Sequence, residues 1–146
     1  MREPGCAFCE EPGGALVFHG PKFRLIRAAE AGLPALYRLV WNDHVAEFTD
    51  LTFDDRDSCM KAVTQVEELL RKHLQPRKVN IASLGNMVPH LHWHIIARFE
   101  WDSHFPDAVW AAPRREPPVK EIARIESLLP ALEQDLAATL ADARRA

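Results

Sequence analysis

Three histidines at alternate positions, His90, His92 and His94, are the residues of this sequence best placed to do chemistry. In an extended strand successive side chains point to opposite faces. These three imidazoles therefore share one side at steps of roughly 6.5 Å, while Leu91, Trp93 and Ile95 take the other. With an ordinary pKa of about 6.5, an imidazole at neutral pH is an uncharged nucleophile or a proton carrier, which suits phosphoryl chemistry. A His-x-His spacing also serves metals. Metallohydrolases of the His-x-His-x-Asp-His pattern, however, need an Asp and a further His where this chain has Ile95 and Ile96. A lone histidine on an exposed strand would call for no function. Three in alternation, with an apolar opposite face and a glycine-containing turn just before them, argue for a site.

The second cluster is Cys6-Ala7-Phe8-Cys9, two thiols at a spacing common in zinc sites and in redox motifs. A thioredoxin-like role would want the pair between a strand and a helix, and no strand precedes it here. Two thiolates alone do not complete a metal site. The third cysteine, Cys59, falls on the apolar face of a helix and reads as core.

The elements that must position these residues follow from periodicity. Ala15 to His19 and Lys22 to Arg27 read as two strands of a hairpin turning at Gly20-Pro21, and Leu36 to Trp41 as a third strand leading to Asn42-Asp43-His44. Thr52 with Asp55 has the spacing of a helix start. Cys59, Met60, Val63, Val66, Leu70 and Leu74 then recur at three- and four-residue steps until Pro76. Lys78 to Leu84 and Leu91 to Phe99 are β-like runs around Gly85-Asn86-Met87-Val88-Pro89, predicted to pair antiparallel. After the Pro-rich segment 111–119, Ile122, Ile125, Leu129, Leu132, Leu136 and Leu140 keep helical spacing, with Pro130 expected to split or kink the pattern. The order predicts an α+β fold, a mostly antiparallel sheet with a covering helix, plus C-terminal helices.

A chain of 146 residues suits one core, with 47% hydrophobic and 27% charged residues as in a soluble globular protein. No apolar run reaches the roughly 18 residues of a membrane span. The first twenty residues mix charges with Pro and Gly, unlike a signal peptide, so a cytoplasmic location is expected. A net charge of -3 with scattered Lys and Arg offers no basic stripe for extended nucleic acid. A small phosphorylated ligand needs only a local site.

His90-Leu91-His92-Trp93-His94-Ile95-Ile96 resembles the His-φ-His-φ-His-φ-φ signature of the histidine triad superfamily, where φ is apolar. Gly85-Asn86-Met87-Val88-Pro89-His90 is similar to the Gly-Gln-x-Val-x-His run that leads into it. The likeness covers roughly residues 5–100 in order of elements, and the chain divides on this reading into a triad domain, 1–115, and a C-terminal helical extension, 116–146. The resemblance implies a nucleotide hydrolase or nucleotidyltransferase acting at the α-phosphate through a covalent nucleotidyl-histidine. Adenosine dinucleoside polyphosphates or phosphoramidates are the implied substrates. It assigns His92 as nucleophile and His94 as proton donor to the leaving group. Asn80, Gly85, Asn86 and His90 become candidates for nucleotide and phosphate binding.

Two positions depart from the family: Asn86 stands where Gln is usual, and Met87 where a hydroxyl residue often follows. Relatives that carry an N-terminal Cys-x-x-Cys complete a structural zinc with an upstream His and the first His of the triad. Those positions match Cys6, Cys9, His44 and His90. A homodimer is also implied, with the helix ending at Leu74 near the interface and Ala62 with Leu69 as its second apolar strip. The alternative from another class is a catalytically weak nucleotide-binding or partner-binding protein on the same fold.

Overall fold

The computed structural model describes residues 1–142. Its centre is a five-stranded antiparallel sheet of β1 (Ala15–His19), β2 (Phe23–Arg27), β3 (Leu36–Trp41), β4 (Lys78–Ala82) and β5 (His92–Arg98), in the order β1-β2-β3-β5-β4. The predicted pairing of the last two strands holds, with Ala82 opposite His94 and Asn80 opposite Ile96. On the other flank of β5, Val40 lies opposite His92 and Arg38 opposite His94. The histidine strand is thus enclosed by two neighbours. That is the stiffest place in a sheet for groups that must hold position.

The described residues also form three α-helices, the short α1 (Ala7–Glu10), the long α2 (Phe53–Leu74) and α3 (Val119–Ala141), and a 3-10 turn at Phe48–Asp50. Thr52 caps α2, its hydroxyl accepting from the Asp55 amide at 3.1 Å, which fills one of the donors a helix start leaves unpaired. Gln75 ends the helix in the left-handed conformation just before Pro76. The expected break at Pro130 does not split the C-terminal segment: α3 is one helix running through it. Pro130 and Glu126 are both exposed, so the carbonyl that loses its helical donor faces solvent. The buried stripe of Ile125, Leu129, Leu132 and Leu136 continues unbroken.

Alternation along the strands separates two faces. Leu25, Tyr37, Leu39, Trp41, Ile95, Ala97 and Val79 face α2 and α3 and form the main core with Cys59, Val63, Val66 and Leu70. Ala62 and Leu69 are 2% and 9% exposed, inside this same core. The second strip expected on α2 for a dimer contact is therefore covered within the chain. The opposite face carries Arg24, Ile26, Arg38, Val40, His92, His94 and Arg98, and among the described residues α1 and loops pack against it. No helix of the described residues is long and apolar enough to cross a membrane.

Candidate active site

Because β5 alternates, His92 and His94 stand side by side on the sheet face opposite the helices, their ring centroids 5.0 Å apart. They line a cleft of about 410 Å³ with Phe8, Arg38, Leu84, Gly85, Asn86, Met87, Val88 and Trp110. The Nδ1 of His92 lies 2.6 Å from the backbone carbonyl of His90. A carbonyl only accepts, so Nδ1 carries the proton and the lone pair resides on Nε2. Burial is the main force lowering the pKa of His92, aided by Arg38 and opposed by that backbone bond. His94 is pushed down to about 4, by burial first and then by His92 and Arg38. Both rings are neutral at pH 7. The first offers a lone pair at a fixed tautomer, and an anion bound beside the second would raise its pKa.

The turn before β5 forms the cleft's rim. Gly85 has φ +81°, in the region that favours glycine, and lets the chain reverse between β4 and the triad. Asn86 lies on this rim, and Met87 is 94% exposed. Asn80, in contrast, does not reach the cleft. It faces Arg98, whose Nη1 donates to its side-chain oxygen at 2.7 Å.

The first histidine of the run leaves the cleft altogether. His90 is fully buried; its Nε2 donates to the Trp41 carbonyl at 2.6 Å, which turns the Nδ1 lone pair toward Cys6 at 3.4 Å and Cys9 at 3.5 Å. His44 Nδ1 lies 3.2 Å from His90 Nδ1 and 3.5 Å from Cys9 Sγ. The four donor atoms of Cys6, Cys9, His44 and His90 are all within 4.8 Å of one another. A tetrahedral zinc with Zn–S of about 2.3 Å and Zn–N of about 2.0 Å separates S from N by about 3.5 Å and N from N by about 3.3 Å. The donor set and its spacing fit that ion. The carbonyl bond fixing the His90 tautomer is the second-sphere contact such ligands need.

The cluster is tied to the cleft through α1. Phe8, between the two cysteines, is 7% exposed and packs its ring 4.7 Å from that of His92. Arg24 on β2 holds the segment from below, donating to the carbonyls of Phe8, Pro12 and Glu11 at 2.6, 3.1 and 3.1 Å. Across the cleft, Trp110 meets His94 edge-on with centroids 5.3 Å apart, and Trp101 stacks on Phe99. The loop bearing Trp110 is anchored by Asp102, a fully buried carboxylate paired with Arg98. Reading the sequence alone gave no role to Phe8 or Arg38. For Arg38 a signal existed: in LYRLVW it alternates with Tyr37 and Leu39 and so shares the histidine face.

A model of the HIT domain matches residues 10–101. Among solved structures, the chain is similar to a histidine triad protein from Bradyrhizobium japonicum, at 25% identity and a TM-score of 0.71 over 86% of this chain and 92% of that one. A histidine triad protein from Sinorhizobium meliloti shares 26% identity at a TM-score of 0.68, over 85% and 90% of the two chains. A Zn-bound histidine triad family protein from Mycobacterium smegmatis has the same fold at 16% identity and a TM-score of 0.59, over 90% and 97%. A sequence comparison with curated proteins returned no match. The domain match spans the greater part of the chain and contains the whole histidine strand, and on that ground the protein belongs to the HIT, or histidine triad, family.

Proposed function

We propose that the protein is a nucleotide hydrolase or nucleotidyltransferase, with His92 as its nucleophile. One observation carries the reading: His92 spends its Nδ1 proton on the His90 carbonyl and presents Nε2 to an open cleft beside a second neutral imidazole. In the first step Nε2 attacks the α-phosphorus, the bond to the leaving group breaks, and a nucleotidyl-histidine forms. In the second, water or another acceptor attacks phosphorus and yields its proton to His94, which is neutral again after protonating the leaving group, while the N–P bond breaks and its electron pair returns to Nε2. Dividing one displacement into two lowers each barrier. His94, charged up by the bound phosphate, gives its proton to the departing group. The Gly85 turn and Asn86 supply donors for phosphate oxygens at the rim. Adenosine phosphoramidates and dinucleoside polyphosphates are the substrates to try first. Turnover of either by the wild-type chain and its loss in His92→Asn would support the proposal. Binding without turnover would leave a nucleotide-binding protein.

Zinc is proposed at Cys6, Cys9, His44 and His90. With four protein ligands it would be structural, supplying a cross-link between the N-terminal segment, the loop after β3 and the start of β5. Residues 1–115 are proposed as the catalytic domain and 116–146 as an extension that packs over α2, its last four residues lying outside those described. A homodimer is proposed through the β4 edge, where Ile81 and Leu84 are exposed beside unpaired backbone. A solution mass of twice 16.6 kDa by light scattering would agree, and a monomer mass would refute it.

A further inference from the structure

Arg38 is the charged residue of the cleft that no carboxylate among the described residues neutralises. It projects from β3 directly beside His94 in the strand register and lines the cleft with both histidines. Its Nε is buried and has no hydrogen-bond partner, and no ion pair is made by its guanidinium among the described residues. Every other arginine that points inward on this face is matched: Arg24 by three carbonyls, Arg98 by Asp102, Asn80 and the Asp107 carbonyl. The remaining cleft residues are Phe8, Leu84, Gly85, Asn86, Met87, Val88, Trp110 and the two histidines, with no carboxylate among them.

An unpaired guanidinium donor out of water is costly, and a fold keeps one where a ligand completes it. A guanidinium is planar, permanently charged and forked, the geometry that matches two oxygens of a phosphate. From this we infer that Arg38 binds the non-bridging oxygens of the substrate's α-phosphate, holding phosphorus against His92 and balancing the charge that grows on those oxygens during displacement. The inference rests on the nucleotide reading above. It assigns to β3 a part of the phosphate site that the rim, with Met87 in place of a hydroxyl residue, does not provide. It also places a fixed cation next to His94, in the strand register and in the cleft lining.

The test is calorimetric titration of adenosine 5′-monophosphate and of adenosine into the wild-type protein, Arg38→Met and Arg38→Lys. Loss of a charge-assisted pair of hydrogen bonds predicts that Arg38→Met weakens the monophosphate by about 10- to 100-fold. Adenosine, which lacks the phosphate, should be held within about twofold of wild type by the same variant, an outcome a merely structural arginine would not give. Arg38→Lys should recover part of the loss, and it replaces the Met variant if that one fails to fold. Equal weakening of both ligands, unchanged monophosphate affinity in the folded variant, or a wild-type protein that binds monophosphate no tighter than adenosine would each overturn the inference. Arg38-dependent monophosphate binding in a protein without turnover would retain it while removing the catalytic proposal.

Discussion

Replacing Asp102 by Ala should be among the most damaging single changes available in this chain. Asp102 is fully buried and accepts five hydrogen bonds: from Arg98 Nε at 2.9 Å and Nη2 at 3.2 Å, and from the amides of Phe99, His104 and Phe105 at 3.0, 3.0 and 2.8 Å. Burial alone would raise its pKa, but Arg98 and the three amides outweigh it and hold the carboxyl below its ordinary value. Truncation leaves Arg98, itself 2% exposed, with only the neutral acceptors of Asn80 and Asp107. Breaking one side of a buried pair costs about 3–5 kcal/mol. The three amides would add more if they stayed dry, but the space vacated by the carboxylate admits water, so about 4 kcal/mol is expected. Asp102→Asn keeps the shape and one acceptor and should cost about half as much. Urea unfolding at pH 7, followed by tryptophan fluorescence, measures both. A cost below about 1 kcal/mol for Asp102→Ala would show that the network does not hold the loop. A folded Ala variant should also release Trp110 from His94, seen as a red-shifted emission.

Two further outcomes are expected. His94 is 6% exposed and its pKa is lowered to about 4. The unfolded chain therefore takes up a proton there below about pH 6.5 that the native ring refuses until about pH 4. Wild-type stability should fall relative to His94→Asn across that window, by up to about 3 kcal/mol, and show no such difference trend above it. Parallel pH profiles would remove the claim that His94 is held neutral. Protein purified without nickel resin should carry about one zinc per chain, and Cys6→Ser with Cys9→Ser should lose it together with several degrees of melting temperature. A metal-free wild type that melts like the double variant would refute the site.

Much of this molecule is legible before folding because its signals are local. The period-two pattern of β5 places His92 and His94 on one face, and the Thr52 cap and apolar spacing mark α2 to within a residue or two. What escapes the sequence is set by neighbours distant in the chain. Asn80 has the right face but meets Arg98, eighteen residues away, because the β4–β5 register puts it opposite Ile96 rather than His94. His90 belongs to the alternating run, yet it stands one step before β5 begins, where the chain turns it beneath Cys6 and Cys9. Arg38 gains meaning only when β3 aligns it with His94. Ala62 and Leu69 read as a spare apolar strip until the fold gathers them into the main core.

The central claim is covalent chemistry at His92, and rapid-mix intact-mass spectrometry tests it most directly. Wild type and His92→Asn are mixed with adenosine phosphoramidate for milliseconds to seconds. The quench is a mildly alkaline denaturant, since a phosphoramidate bond to histidine is acid-labile. Wild type should give a transient species heavier by one nucleoside monophosphate less water, mapping to the peptide that contains His92, and the variant none. An adduct of equal yield in His92→Asn, or one on another residue, would contradict the claim.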